Sequence, residues 1–173
     1  MSDRVLYLVC CGAPPAGYAV QAVDLARARG WDVCVIGTTA ATKWLDVPAL
    51  TEATGHPVRT DYKAPDEPDV LPPPTGILVA PATVNTINKW GAGICDTLAL
   101  GLIVEAIGLG LPIAVIPHSN RYHAAHPMVE VNLNRLQEWG VRVVGDIRTL
   151  HEPSQGNPEA FPWASGLDAL ERP

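Results

Sequence analysis

The sequence predicts an α/β fold built around a parallel sheet. Short apolar runs rich in β-branched residues, which are typical of buried parallel strands, alternate with segments of helix length. Five such runs occur, at residues 5–11, 32–37, 76–80, 112–116 and 141–144. The chain has 173 residues, of which 47% are hydrophobic and 17% are charged, and this amount of apolar material suits one well-packed domain.

The first apolar run also resembles a short signal peptide, because Arg4 stands directly before it. The run is brief, however, and leads into Gly12, Ala13 and two prolines, so we interpret it as the first strand of the sheet. No apolar stretch approaches the roughly 20 residues that span a bilayer, so we expect no membrane partner.

Charge and cysteine content restrict the partners and the compartment. The net charge of −6 argues against a nucleic-acid partner, because a phosphate backbone is bound by clustered Lys and Arg. The four cysteines are Cys10, Cys11, Cys34 and Cys95, and they show no metal-ligand spacing. We therefore expect a reduced, cytoplasmic protein.

Helix patterns fill the intervals between the strands. They are expected at residues 18–29, 48–54, 85–95, 96–109 and 127–139. Asp46 and Gly55 are residue types that begin and end the second of these helices. The third and fourth form either two helices or one bent helix, with Gly91 and Gly93 near the bend. Buried faces are expected from Val20, Val23, Leu25 and Ala26 in the first helix and from Val129, Val131, Leu133 and Leu136 in the last.

Two segments are predicted to be irregular. Residues 61–75 contain five prolines and four acidic residues, which suit neither a helix interior nor a central strand. The tail after Asp146 is rich in Pro, Gly and Ser. We expect it to wrap the surface or reach a neighbouring subunit rather than build a core, with Phe161 and Trp163 as its anchors.

Four strand-to-helix loops carry residues that could form a site. In an open parallel sheet, ligands bind beyond the carboxyl ends of the strands, where such loops converge. Residues 12–17 are small enough to let a backbone approach a phosphate or a ring, although an ordinary turn explains them equally well. Thr38, Thr39 and Thr42 place hydroxyls beside a helix start, where they either bind an anion or simply cap the helix.

The third loop, residues 80–86, is the strongest candidate. It follows a strand, opens a helix and carries Thr83, Asn85 and Thr86, whereas a plain capping turn needs only one such group. The fourth loop, residues 117–127, contains three histidines. A metal site is not predicted there, because His123 and His126 have prolines nearby and no evident partner carboxylate. His56 lies earlier in the chain, and we interpret it as an exposed residue that follows the second helix.

Two of these loops carry motifs of a known family. Residues 81–96, PATVNTINKWGAGICD, resemble the PASANT motif and the following helix of the homo-oligomeric flavin-containing cysteine decarboxylases, with Thr83 and Val84 in place of Ser and Ala. Residues 117–127 resemble the PxMNxxMW substrate motif of that family in the outer prolines and Asn120. With the order of the strands, the resemblance covers roughly residues 5–145.

The resemblance implies a flavodoxin-like (Rossmann-like) three-layer sandwich that assembles into trimers or dodecamers. It implies a flavin-binding domain over residues 1–146, followed by an irregular C-terminal tail over residues 147–173. Flavin mononucleotide (FMN) is then expected between subunits. The implied flavin-site residues are Gly12, Ala13, Thr38, Thr42, Ala82, Thr83, Asn85 and Thr86.

The implied reaction is the oxidative decarboxylation of a cysteine-type thiol carboxylate, in which Asn120 is similar to the residue that holds the substrate carboxylate. In this family, a histidine shortly before the motif strand serves as the acid or base. Counting back from Pro81 without gaps places Glu67 there, although its unperturbed pKa of roughly 4 suits neutral proton transfer less well. Alternatively, His118, His123 or His126 supplies this function from the substrate loop.

Two other functions remain open. One is a non-catalytic flavin-binding or regulatory homologue that keeps the pocket without the chemistry. The other is an enzyme similar to flavin prenyltransferases, whose glycine-serine first loop and basic phosphate-binding segment are not evident here. No cysteine follows Cys95, whereas pantothenate-pathway members carry one in a late glycine-rich clamp. Phosphopantothenoylcysteine is therefore not assigned as the substrate.

Overall fold

The centre of the protein is a five-stranded sheet whose strands are all parallel. A computed structural model describes residues 4–147 and 151–171. The strands follow the order β2-β1-β3-β4-β5, which is the order of flavodoxin-like proteins. Their bounds are β1 (Val5–Cys10), β2 (Asp32–Gly37), β3 (Gly76–Ala82), β4 (Ile113–Pro117) and β5 (Arg142–Val143). The α/β class, the parallel sheet and all five predicted strands are confirmed.

Helices cover both faces of the sheet, which completes the expected three layers. One face packs against α1 (Ala19–Ala28), α2 (Val47–Thr54) and α7 (Trp163–Glu171), and the other against α3 (Val84–Gly91), α4 (Leu98–Gly108) and α6 (Pro127–Glu138). A short helix, α5 (Arg121–Ala124), follows β4. The central strands are buried on both faces, which explains their continuous apolar runs. Within the described ranges, no helix is long and apolar enough to cross a membrane.

Local chemistry sets the ends of these helices as the sequence predicts. The Asp46 side chain accepts a hydrogen bond from the Ala49 amide at 3.1 Å, and Gly55 ends α2 with a φ of 74°. Gly93 has a φ of 73° between α3 and α4. A left-handed residue there breaks the helical path, so the two segments are separate helices rather than one bent helix.

Two residues predicted to be buried are exposed. Leu25 is 38% exposed and Val131 is 40% exposed. The inward face of α1 is formed by residues 19, 22, 23 and 26, and that of α6 by residues 129, 132, 133 and 136. Both sets follow the i, i+3, i+4, i+7 spacing of one helix face, which leaves Leu25 and Val131 outside it.

The expectation that the tail stays out of the core is wrong for its last part. Residues Trp163–Glu171 form α7, which buries Trp163 and Leu167 against the sheet. A Cβ on Gly166 would lie 2.7 Å from Leu78 Cδ1, so the α7 backbone rests almost directly on β3. Phe161 is buried beside Trp163 with 4.6 Å between ring centroids, which confirms both residues as anchors. The Pro and Gly content that suggested a wholly irregular tail is concentrated before this helix.

We expect Leu167→Ala to lower the free energy of unfolding by about 2–5 kcal/mol, because it removes a fully buried side chain from a packed core. The matched control is Leu25→Ala, which removes the same atoms from a leucine that is 38% exposed. It should lower the free energy of unfolding by less than about 1 kcal/mol. Urea unfolding followed by circular dichroism measures both. Equal losses would contradict the core position of α7.

Candidate functional site at the carboxyl edge of the sheet

The loops that follow β1, β2, β3 and β4 meet at one edge of the sheet. Parallel strands bring their carboxyl ends to the same edge. Backbone hydrogen bonds beyond the strands hold these loops together: Thr38 N to Cys10 O at 2.9 Å, Cys11 N to Pro81 O at 3.0 Å, and His118 N to Ala82 O at 2.8 Å. The candidate residues of separate loops thereby become neighbours.

A cavity of about 480 Å³ opens at this edge. Its wall comes from the loops after β1, β3 and β4 and from the segment 151–158, which the sequence did not indicate. The volume lies within the roughly 300–1,000 Å³ typical of small-molecule sites. None of its described lining residues is Asp, Glu, Lys or Arg. The described part of the cavity lining is therefore polar in places but carries no fixed charge.

Gly12 has a steric reason to be glycine. A Cβ at this position would lie 2.6 Å from Ala40 Cβ and 2.8 Å from the Ala40 carbonyl carbon. The loop after β1 therefore touches the backbone of the loop after β2. Ala13 is buried beside it, and Pro14 begins a short 3-10 helix. This close approach goes beyond what an ordinary strand-to-helix turn requires.

Thr38 and Thr83 stand at helix N-cap positions but do not cap with their side chains. Thr38 precedes the 3-10 helix Thr39–Lys43 and Thr83 precedes α3, and neither hydroxyl accepts a capping hydrogen bond. Thr83 Oγ1 lies 3.4 Å from Thr86 Oγ1. Simple capping therefore does not account for these two hydroxyls. By contrast, Thr42 is exposed and donates to Thr39 O at 2.8 Å within its own helix.

Three further predicted flavin-site residues do not line the cavity. Thr86 is only 3% exposed and accepts a hydrogen bond from the Cys11 thiol at 3.2 Å. Burial raises the pKa of Cys11, so its thiol remains the donor. Ala82 is buried in β3, and Asn85 is exposed on α3. Gly12, Ala13 and Thr83 line the cavity, whereas Thr38 and Thr42 lie in the adjoining loop.

Asn120 has a fixed orientation at the cavity wall. Its Oδ1 accepts hydrogen bonds from the amides of Tyr122 and His123, both at 3.1 Å, and so caps α5. The Nδ2 group lies on the other side of the amide, and the hydrogen that does not face His123 is left for a ligand. Nδ2 is 3.5 Å from Nδ1 of His123, which is exposed at the rim. A carboxylate is a natural partner for such a donor.

His118 lies in the cavity wall directly after β4. It is half-buried, and burial, followed by the nearby His151, lowers its pKa to about 4. The ring is therefore neutral at pH 7. His151, which sequence reasoning missed, has its ring centroid 5.2 Å from that of His118. The spacing of the two histidines along the chain gives no sign of this contact.

Two other histidines have structural partners. Nδ1 of His126 accepts a hydrogen bond from Met128 N at 3.2 Å and caps α6. His56 is half-buried and lies 2.8 Å from Asp32 Oδ1, so the expectation of a simply exposed residue is wrong. In residues 4–147 and 151–171, no group of three or more His, Cys, Asp or Glu side chains could hold a metal ion.

Glu67 does not reach the cavity. Its carboxylate accepts a hydrogen bond from Ala64 N at 2.9 Å within the exposed proline-rich loop. That loop ends where Thr75 N donates to Val5 O, at the amino end of β1. Glu67 is therefore not among the described residues of the cavity lining, and its predicted role as the acid or base stays a prediction.

An all-parallel sheet between two layers of helices defines an α/β protein, and the cavity at its carboxyl edge is a candidate small-molecule site. The model of the Flavoprotein family matches residues 2–165, so the chain belongs to the Flavoprotein family.

Curated relatives extend well beyond this chain. It is 35% identical over 136 residues to the coenzyme A biosynthesis bifunctional protein CoaBC of Thermococcus kodakarensis, a match that covers 73% of this chain and 33% of that protein. The Bacillus subtilis protein of the same name is 29% identical over 156 residues, which are 86% of this chain and 36% of the relative. The chain thus spans about a third of the length of these two relatives.

Solved structures share the fold at low identity. The FMN-dependent cysteine decarboxylase TvaF from thioviridamide biosynthesis has a TM-score of 0.77 at 20% identity, covering 98% of this chain and 99% of that one. The FMN binding protein AtHal3 has a TM-score of 0.69 at 20% identity, covering 90% and 88%. These likenesses establish the flavodoxin-like fold.

Because the pKa of His118 is lowered in the folded protein, its contribution to the free energy of unfolding should depend on pH. The folded value of about 4 lies below the ordinary 6.5, so the unfolded chain binds more protons between these values. The contribution of His118 to the free energy of unfolding should therefore rise with pH across this window. NMR titration of the ring should give a midpoint near 4. In His118→Gln, the rise in urea-unfolding free energy from pH 4.5 to 7 should shrink. An unchanged rise, or a midpoint near 6.5, would contradict this prediction.

Proposed function

We propose that the chain binds FMN at the carboxyl-edge cavity and oxidatively decarboxylates a cysteine-type thiol carboxylate. The observation that carries the proposal is the Asn120 amide, which is fixed by its capping bonds and faces the same cavity as Gly12 and Thr83. Membership of the Flavoprotein family and the likeness to FMN-dependent proteins support the cofactor.

The described residues fit a flavin in shape and in chemistry. Gly12 allows the close approach of two loops, which forms a narrow cradle. Ala13, Pro14 and Val84 give the cavity apolar surface suited to a flat ring. With no Lys or Arg in the described lining, backbone amides and the free Thr38 hydroxyl are the donors that would hold the phosphate. Bound flavin would supply the two-electron acceptor that the reaction needs.

The same wall suits the substrate. A carboxylate at Nδ2 of Asn120 meets a neutral donor, and no carboxylate in the described lining repels it. The thiol end of a cysteine-type substrate is short enough to reach the neighbouring histidines. One cavity surface thus offers a hydrogen-bond donor for the substrate carboxylate and histidine side chains that can exchange a proton.

We further propose that the chain acts as a homo-oligomer, a trimer or a dodecamer, with the flavin between subunits, in the cytoplasm. Apolar side chains exposed on and beside α6 support a subunit contact, namely Met128, Val131 and Trp139. All four cysteines are free, and three are buried, as suits a reducing compartment.

Gly12→Ala should weaken FMN binding about tenfold or more, because relieving its contacts with Ala40 costs about 1–3 kcal/mol and separates the two loops. Gly17→Ala is the matched control, since its Cβ would meet only Trp44 O at 3.4 Å. Flavin fluorescence quenching measures both dissociation constants. Equal affinities in the two variants would remove Gly12 from the flavin site.

Asn120→Asp should lower kcat/KM about 10- to 100-fold, because a charged hydrogen bond of about 1.5–3 kcal/mol is replaced by repulsion between carboxylates. The new side chain still accepts the capping bonds from Tyr122 N and His123 N, so the fold and FMN binding should persist. Steady-state kinetics and thermal melting test this pair of outcomes. Unchanged kcat/KM would exclude Asn120 as the carboxylate ligand.

Anaerobic mixing of the purified protein with peptides ending in cysteine and with phosphopantothenoylcysteine tests the whole proposal. Bleaching of the flavin together with carbon dioxide release is the expected result for at least one thiol carboxylate. A flavin-bound protein that is inert to the entire panel would favour the non-catalytic homologue. A protein that neither contains nor takes up FMN would remove the proposal altogether.

A further inference from the structure

We propose that His118 takes up the substrate thiol proton and returns it at the end of turnover, and that His151 positions the His118 ring for this role. The inference rests on the proposed function and names the proton-handling residues of the same cavity. His151 lies outside the motifs of the sequence and in the segment that was expected to be irregular.

The ionisable side chains of the described cavity lining are all histidines. Among the described lining residues these are His118, His123 and His151, and there is no Asp, Glu, Lys or Arg. Just outside, Glu152 is already paired with the Arg121 guanidinium. Glu67 is absent from this cavity, so a carboxylate base is not at hand.

His118 is held firmly but has free ring nitrogens. Its amide donates to Ala82 O at 2.8 Å, which fixes the backbone between β3 and β4. The ring lies between His151 and the edge of Phe161, whose centroid is 5.7 Å away. Neither ring nitrogen has a hydrogen-bond partner within residues 4–147 and 151–171. Because the ring is neutral at pH 7, one of these nitrogens carries a lone pair that can accept a proton.

The tautomer of His151 follows from its partner. Nδ1 lies 2.6 Å from the carbonyl oxygen of Glu152, which can only accept a hydrogen bond, so Nδ1 carries the proton. In the neutral ring, Nε2 then has a lone pair. That nitrogen is buried and has no partner in the described part of the chain. It lies beneath Gly156, where a Cβ would approach to 2.9 Å.

The position of His151 is built into the structure. Its carbonyl oxygen accepts a hydrogen bond from Arg121 N at 3.0 Å, at the start of α5. The Arg121 Nε atom lies 2.5 Å from Glu152 Oε1. The segment that carries His151 is therefore bound to the same short helix that Asn120 caps. This holds the Asn120 amide, which would bind the substrate carboxylate, at a fixed position relative to the two histidines.

A buried lone pair without a hydrogen-bond donor costs free energy of folding. A neutral His118 ring has one N–H group that can serve as such a donor. In the described part of the chain no hydrogen bond joins the two rings, whose centroids are 5.2 Å apart, but the partial negative charge of the Nε2 lone pair of His151 favours the His118 tautomer with its N–H toward His151 and its own lone pair toward the cavity. This is the relation of a base to the group that orients it. Burial and His151 both lower the pKa of His118, so the imidazolium is short-lived and gives its proton back readily.

The proton and electron movements balance. The thiol S–H bond breaks and its proton goes to the cavity-facing nitrogen of His118. A bound flavin would accept the neighbouring C–H hydrogen with its electron pair, and the carbon would then form a C=S bond. When the carboxylate leaves as carbon dioxide, its electron pair forms a C=C bond and the C=S π pair moves to sulfur. The sulfur then takes the proton back from His118 as an enethiol.

Nitrogen-15 NMR of the histidines tests the pair without turnover. We expect His118 to show one predominant tautomer in the wild type and in His151→Gln, whose amide oxygen can replace the Nε2 acceptor. His151→Phe keeps the ring volume but has no acceptor, and it should give a mixture of tautomers. Adding 3-mercaptopropionate should shift the cavity-facing nitrogen of His118, whereas propionate, which lacks the thiol, should not.

Kinetics of the FMN-loaded protein give the second measurement. His118→Gln and His118→Asn should each lower kcat about 10²- to 10⁴-fold with FMN still bound. His151→Phe should lower kcat at least tenfold, and His151→Gln should recover most of it. His56→Gln, at a histidine far from the cavity, should leave kcat unchanged.

The inference is overturned if His118→Gln turns over at the wild-type rate. It is also overturned if His151→Phe changes neither the tautomer of His118 nor kcat, or if the thiol probe and propionate perturb His118 equally. A wild type that binds no FMN would defeat the proposed function instead, and the NMR comparison would still decide the role of the histidine pair.

Discussion

Three backbone hydrogen bonds beyond the strand ends hold the site together. They join the residue after β2 to the end of β1, the residue after β1 to β3, and the residue after β4 to the end of β3. Because backbone groups make these bonds, they do not depend on the identity of the exposed side chains. The contact between Gly12 and Ala40 adds a steric limit to the same arrangement. A parallel sheet in this register thus brings the loops after β1, β3 and β4 into one cavity wall, with the loop after β2 beside it.

The absence of fixed charge among the described lining residues determines what this wall can do. Histidines near a carboxylate would be drawn toward the charged form, whereas here burial keeps His118 neutral. Asn120 can hold an anionic carboxylate without adding a full positive charge. The cavity therefore combines a neutral donor for the substrate with a neutral acceptor for its proton, next to surface that suits a flat ring.

Much of the fold was predictable because it depends on local patterns. Apolar runs gave the strands, and Asp46 and Gly55 gave the ends of α2. The α7 helix was missed because its neighbours in sequence are rich in Pro and Gly, while its own pattern of Trp163, Leu167 and Leu170 is short. Leu25 was misplaced because an apolar residue one position off the buried face looks the same as a buried one in composition.

The site was predictable only where its residues occur in motifs. Thr83 and Asn120 stand at fixed positions after strands, so sequence reasoning found them. Glu67 was placed by counting residues through a proline-rich loop, and it is not among the described residues of the cavity lining. His151 was not predicted, because its contact with His118 is a long-range tertiary contact that no local sequence pattern indicates.

The flavin content of the purified 173-residue chain tests most directly whether the protein binds FMN. The protein is saturated with FMN, washed free of excess, and its visible spectrum is compared with the amount of chain. We expect one FMN bound per chain, with the absorption bands of a protein-bound flavin. A colourless protein that retains no FMN after saturation would contradict it.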